Sequence, residues 1–143
     1  MTDGGMYYTE SGDEFKKFST RDGRGIIQLR KARFPVGIIS SGFAKNIIEK
    51  RAEVLGVQLV SVGASDKVDV LKQWCKQLGV FLENVAYIGD DVNDIAIINE
   101  VGFSACPADA YPAVAKIVNV VLTKNGGDGC VREFVDRFLS HEI

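Results

Sequence analysis

An α/β fold, in which a parallel sheet is covered by helices on both faces, is what this 143-residue sequence predicts. Three observations carry that expectation. The length fits one domain and is enough to bury a core. From Pro35 onward, short apolar segments alternate with amphipathic ones of helical period. The segments Pro35-Val36-Gly37-Ile38-Ile39-Ser40 and Val85-Ala86-Tyr87-Ile88 are apolar almost throughout, as strands buried on both faces must be.

Taken in order, Met6 to Phe18 predicts a β-hairpin: aromatic residues flank a Ser11-Gly12-Asp13 turn, and Phe15 and Phe18 bracket two lysines. The pattern changes after Asp22-Gly23, where Ile26, Ile27, Leu29 and Ala32 predict a short helix. The first buried strand then ends at Ser40. A helix over 44–55 leads to a strand over 57–62, and a helix over 67–78 to the strand at 85–88. A helix over 93–101 precedes a strand at 103–106, and a short helix after Tyr111-Pro112 precedes a strand over 118–122. Gly126-Gly127-Asp128-Gly129 opens a last helix that reaches Phe138. Ligands of such sheets collect at the carboxyl ends of the strands. Ser40, Asp90 and the residue before Lys67 all fall at such ends.

Bulk properties exclude several classes. A net charge of −2 with scattered Lys and Arg argues against nucleic acid or an anionic membrane as partner. No apolar run nears the ~18 residues of a membrane span. Met1-Thr2-Asp3-Gly4-Gly5 has none of the regions of a signal peptide, so the expected location is the cytoplasm. The three cysteines, Cys75, Cys106 and Cys130, stand far apart with no CxxC pair, which predicts reduced core thiols rather than a disulfide framework or zinc site. The single histidine, His141, lies in a charged tail and gives His-based catalysis little to work with.

The chemistry concentrates in Gly89-Asp90-Asp91-Val92-Asn93-Asp94, directly after an apolar strand and at a helix start. Spacings of three and four let these carboxylates crowd together, while the helix dipole offsets only one or two charges at ~0.3–1 kcal/mol each. A hard, oxygen-preferring cation such as Mg2+ relieves the remaining repulsion; a merely well-capped helix is the alternative. An EF-hand is excluded, since its glycine and terminal Glu are absent. Lys67 follows Ser65-Asp66 at another helix start, where the dipole disfavours a cation unless phosphate or the acidic loop holds it. Alone it would be a solvated surface lysine. Ser40-Ser41-Gly42 offers a hydroxyl and free N–H groups to a phosphate oxygen, or an ordinary strand-to-helix cap.

Together these residues resemble the haloacid-dehalogenase-like phosphatases. Thr2-Asp3-Gly4-Gly5-Met6-Tyr7-Tyr8, Gly12-Asp13-Glu14-Phe15-Lys16-Lys17-Phe18, Arg21-Asp22-Gly23, Val85 to Asp91, and Gly126-Gly127-Asp128-Gly129 with Arg132-Glu133 narrow the likeness. They are similar to the subgroup without a large cap: 3-deoxy-D-manno-octulosonate 8-phosphate phosphatases, nonulosonate 9-phosphate phosphatases, and the C-terminal domain of CMP-sialic acid synthetases. The resemblance implies a Rossmann-like parallel sheet with a small N-terminal hairpin, and Mg2+-dependent hydrolysis of a 2-keto-3-deoxy sugar acid phosphate. It implies metal ligation by Asp90 with Asp94, supported by Asp91 and Asn93. Lys67 would steady the nucleophile and phosphoryl oxygens, and Ser40 or Ser41 would bind phosphate. Arg21, Asp22, Gly23 and Arg51 would contact substrate, and Arg132 would lie near a neighbour's site in a homotetramer built through Met6–Phe18.

Two departures follow. In the subgroup, Thr-Asp-Gly follows a strand ending Asp-x-Asp-Gly, whose first Asp attacks phosphorus and whose second is the general acid/base. Here Met1 stands before Thr2, so the resemblance implies that residues 1–143 are one domain truncated at its N-terminus, without its central strand and inactive alone. Loss of a central strand would leave backbone groups unpaired on both neighbours, which favours truncation over a natural pseudoenzyme. The rival expectation is a catalytically inactive oligomerisation or regulatory domain like that of the synthetases. The second departure is Ser40-Ser41-Gly42-Phe43, where the subgroup carries a charged residue after the glycine; that leaves open which serine is the motif residue and which sugar acid is bound.

Overall fold

The computed structural model describes residues 1–42, 44–63 and 65–143; the departure at Phe43 lies outside the described residues. Strands β1 (Tyr7–Tyr8) and β2 (Glu14–Phe15) form the N-terminal hairpin, with Tyr7 opposite Phe15 and their rings stacked at 5.3 Å. Thr2 bridges to Phe18 and extends the pairing. Helix α1 (Thr20–Lys31) is capped by Ser19, whose Oγ accepts from the Asp22 N–H. It starts earlier than predicted, with Gly23 and Gly25 inside it. Both are helix-weakening by ~1 kcal/mol, yet here they let other helices come close. A Cβ on Gly23 would strike the Arg51 guanidinium, and one on Gly25 would sit 3.2 Å from Arg132 Cα.

The α/β body follows in the predicted order: β3 (Gly37–Ser40), α2 (Lys45–Leu55), β4 (Leu59–Val62), α3 (Lys67–Leu78), β5 (Ala86–Ile88), α4 (Ile95–Ile98), β6 (Phe103–Cys106), α5 (Pro112–Ala115), β7 (Val120–Val121) and α6 (Cys130–Leu139). Strand β7 is shorter than the 118–122 expected, and two further elements differ. Strand β4 starts at Leu59 rather than Val57, because the Val57 N–H is spent on Ala52 O behind the left-handed Gly56. The helix expected over 93–101 is a 3-10 turn, Val92–Asp94, and one turn of α4. It stops early because the chain turns back, and the Gly102 N–H bonds to Leu82 O.

The parallel sheet lies in two pieces, β3–β4 and β5–β6–β7. Strand β6 has partners on both sides, and Ser104, Ala105 and Cys106 in it are buried. Among the described residues β3 pairs only with β4, and β5 with no other strand than β6. Yet the pieces share a core. Ile39 of β3 and Tyr87 of β5 pack on one cluster made by Leu71, Cys75 and Ile97. On the opposite face Val131 of α6 packs both with the cluster that holds Ile38 and with the cluster that holds Ile88. All three cysteines are free and buried, as expected.

Candidate active site

The site is built where β5 ends. Asp94 is the organising residue: its side chain is 3% exposed, and each carboxylate oxygen accepts two hydrogen bonds. Lys67 Nζ (2.5 Å) and Tyr87 Oη (2.7 Å) donate to Oδ1; the Asp90 and Asp91 N–H groups donate to Oδ2 at 2.9 and 3.3 Å. Burial alone would raise the Asp94 carboxyl. The bonds from Lys67, Tyr87 and the Asp90 backbone win and hold it below its ordinary value. Burial, and then the Asp94 charge, push the Tyr87 phenol far up, so it stays a donor.

Lys67 opens α3 and Asp94 closes the turn after β5, so this ion pair ties a helix start to the acidic loop. The cation is stable there because Asp66 caps α3, accepting from the Val68 and Asp69 N–H groups, and Asp94 supplies the counter-charge. An ammonium has three donors: Asp94 takes one, and Asn93 Oδ1 lies at 3.5 Å from the nitrogen.

The acidic residues divide the labour. Asp91 caps the 3-10 turn, its Oδ1 accepting from the Val92 N–H at 2.7 Å. Asp90 is exposed, and among the described residues its carboxylate has no hydrogen-bond or ion-pair partner. The loss of hydration there, then the charges of Asp94 and Asp91, raise its carboxyl above the ordinary value despite Lys67. Its backbone oxygen receives the Tyr111 N–H at 2.8 Å, which fixes the loop to the start of α5. Ser40 ends β3, and its Oγ accepts from the Gly42 N–H at 3.2 Å. Ser41 is half-buried beside it.

The other candidates hold the scaffold. Asp22 is 3% exposed, and its Oδ1 accepts from the Arg132 N–H at 3.0 Å. It thereby caps α6 from another helix, because Gly129 at the α6 N-cap has no side chain to do so. Arg51 donates from Nη2 to Ser19 O and lies over the Phe18 ring at 5.7 Å, locking the hairpin to α1; Gly23 makes room for it. Arg132 pairs with Asp136 at 2.7 Å along its own helix. Arg21 is exposed, its side chain running over Gly129. Tyr87 is the site residue the sequence reading passed over. The available signal was a phenol on a buried strand, which needs a polar partner.

A buried lysine–aspartate pair and an exposed carboxylate thus stand together where a strand of an α/β sheet ends. Residues 43–134 match the haloacid dehalogenase-like hydrolase family. The chain is 39% identical over 139 residues to the 3-deoxy-D-manno-octulosonate 8-phosphate phosphatase KdsC of Yersinia pestis, covering 97% of this chain and 74% of that protein. The cobalt-bound phosphatase from Haemophilus influenzae superposes with a TM-score of 0.91 at 37% identity, over 97% of this chain and 81% of that one. The Moraxella catarrhalis phosphatase, in complex with magnesium, phosphate and KDO, superposes at 0.88 with 30% identity, over 99% and 87%. The chain belongs to the haloacid dehalogenase-like hydrolases, in the branch of the 3-deoxy-D-manno-octulosonate 8-phosphate phosphatases.

Proposed function

We propose that the chain carries the metal- and phosphate-handling half of a phosphomonoesterase. Its substrate is a 2-keto-3-deoxy sugar acid phosphate, 3-deoxy-D-manno-octulosonate 8-phosphate first and a nonulosonate 9-phosphate next. The observation that carries this reading is the division between Asp94, saturated by four donors, and Asp90, held beside it with a free carboxylate. Among the described residues no three His, Cys, Asp or Glu side chains form a cage. A single protein carboxylate completed by water and phosphate oxygens nevertheless suits Mg2+, which dehydrates reluctantly. The crowded charge on Asp90 fits such a cation. With the metal held at Asp90, the chemistry supplied would be neutralisation of charge on the transferring phosphoryl group.

The chain's own residues do the rest. Lys67 turns a remaining N–H toward the phosphoryl oxygens, and Asp94 keeps it aimed. The Ser40 or Ser41 hydroxyl binds a phosphate oxygen. Asp91 and Asn93 hold the loop, and Asp22, Gly23, Arg51 and Arg132 hold the helices that shape the cleft. By the resemblance, the attacking aspartate is the first of an Asp-x-Asp pair on a strand, and no Asp-x-Asp-Gly run occurs within residues 1–143. With that strand restored, Mg2+-dependent release of phosphate from a sugar-acid phosphate panel is the expected result, and no turnover above background would sink the reading.

One observation favours a second reading. Met6, Tyr7, Tyr8 and Phe15 of the hairpin are 37–69% exposed, an apolar patch of the kind that seeks a partner. An oligomerisation or regulatory domain would use it to build a homotetramer without Mg2+-dependent activity. Sedimentation of the chain and of Tyr8→Ser/Phe15→Ser tests the assembly.

A further inference from the structure

The Lys and Arg are less evenly placed than a net charge of −2 suggests. Seven of the 17 fall between Lys16 and Arg33, with Asp22 the only acid among them. That stretch therefore carries +6, which leaves −8 for the rest of the chain. Much of the excess stands on α1, where Arg21, Arg24, Gln28 and Lys31 follow one another at spacings of three, four and three. Such spacings put all four on one side of a helix, in a row about 15 Å long. Arg21, Arg24 and Lys31 are exposed, as is Arg33 just past the helix end. Arg30 lies off the row and donates from Nη1 to Leu55 O at 2.8 Å.

Nothing in the described fold answers this charge. Other surface helices neutralise their cations in place: Lys45 pairs with Glu49 and Lys50 with Glu53 on α2, and Arg132 with Asp136 and Arg137 with Glu133 on α6. Among the described residues Arg21, Arg24, Lys31 and Arg33 enter no ion pair. The one acid of α1, Asp22, is buried and taken up by the Arg132 N–H. Like charges three and four residues apart destabilise a helix, and Arg21 and Arg24 also stand near its start, where the dipole disfavours cations.

The row's dimensions select its partner. Guanidinium forks match carboxylates and phosphates alike. A nucleic acid held through roughly six to ten phosphate contacts would run past these cations onto a surface of net negative charge, which repels it. A lipid surface needs an apolar face beside the cations, and the apolar side of α1, with Ile26 and Leu29, is packed into the core. An acidic helix repeats the row's own spacings and can end where the row ends.

We propose that the exposed side of α1 is a docking surface for an acidic α-helical segment of a partner protein, whose Glu or Asp side chains recur every three or four residues and meet Arg21, Arg24 and Lys31. Neither metal nor phosphate chemistry enters, so such docking is independent of the phosphatase reading.

The probe is a fluorescein-labelled, Ala-rich helical peptide of about 16 residues with Glu at the spacings of the row. One control replaces its Glu by Gln; another keeps the Glu but scatters them around the helix. Saturable binding to the full chain in about 50 mM salt, with a Kd below about 0.5 mM, is expected for the patterned peptide alone. It should weaken at least about threefold in Arg24→Gln/Lys31→Gln, a variant that should melt no lower than the unaltered chain, since only repulsion is removed. In Arg24→Glu/Lys31→Glu the preference should reverse, toward the same peptide with Lys for Glu. No binding up to about 1 mM overturns the docking surface, as does equal binding of patterned and scattered Glu, or an affinity that ignores both substitutions. Tighter binding of duplex DNA or of phosphatidylserine vesicles through Arg24 and Lys31 also overturns it, by giving the row to a polyanion or a membrane instead.

Discussion

Replacing Asp94 by Asn tests the organisation of the site most directly. All four of its partners are donors: the Lys67 ammonium, the Tyr87 hydroxyl, and the N–H groups of Asp90 and Asp91. An amide of the same shape offers one acceptor and two donors of its own. If the amide oxygen faces the two backbone N–H groups, its NH2 meets Lys67, which has no acceptor to give. If the amide is turned round, the NH2 meets the two backbone donors. Either way a buried cation or a pair of buried N–H groups loses its partner. Breaking a buried ion pair from one side costs about 3–5 kcal/mol. At about 2.1 cal/mol/K per residue, 143 residues give an unfolding entropy near 0.30 kcal/mol/K. The predicted fall in Tm is therefore about 10–17 °C at pH 7, read by circular dichroism melting in chelator. The sign with pH follows from the depressed Asp94 carboxyl. Its contribution is fully present above the unfolded value of 3.8 and is lost as pH falls through the lower folded value. The wild-type advantage should persist down to about pH 4 and shrink below it. In the double variant Asp94→Asn/Lys67→Met, part of the loss should be recovered, because the stranded cation is gone. A fall of Tm under 3 °C for Asp94→Asn, or no recovery in the double variant, would refute the buried-pair argument.

The remaining predictions concern the surroundings. Asp90→Asn, in chelator at pH 7, should raise Tm, because the raised carboxyl opposes folding once ionised. The gain should shrink as pH falls through the raised folded value and vanish only below the unfolded value of 3.8, where both states are protonated; a pH series of melts checks the crossover. Gly102→Ala places a Cβ on top of the Glu83 backbone oxygen, which cannot move without breaking the Gly102 N–H bond to Leu82. It should cost about 3 kcal/mol or more, read from the urea midpoint. Asp22→Ala removes the cap of α6 supplied from α1, along with its own unpaired oxygen. A net loss of about 0.5–2 kcal/mol is expected, with faster amide exchange concentrated at Val131 and Arg132.

The order of elements was readable in the sequence because it rests on periodicity and burial, which are local. The strands at Gly37–Ser40, Ala86–Ile88 and Phe103–Cys106 and the helix Lys67–Leu78 came out where the apolar patterns put them. What failed to show was set by tertiary approach. Asp22-Gly23 looks like a break before a helix, yet it lies within α1, because Arg51 and Leu55 need the room a glycine leaves. The site was legible as a cluster and illegible as a division of labour. A spacing of four brings Asp90 and Asp94 together, but it does not tell which one turns inward to meet Lys67 and Tyr87. Nor does a sequence show that Asp22, 110 positions from Arg132, caps its helix.

The geometry of α3 joins the two unusual features of the molecule. Its first residue, Lys67, is fixed by Asp94 from the β5 side, while one and two turns along its length Leu71 and Cys75 carry Ile39 from the β3 side. One helix thus spans both half-sheets, pinned electrostatically at its start and by apolar contact beyond it. That is why the pieces keep a common core although no strand hydrogen-bonds one to the other among the described residues. The same pin sets the position of the Lys67 ammonium, so the packing of the two half-sheets and the placing of that cation are coupled. A change that loosens the Lys67–Asp94 pair should therefore disturb both half-sheets as well as unaim the lysine, and lower Tm and the amide-exchange protection of β3 and β5 together.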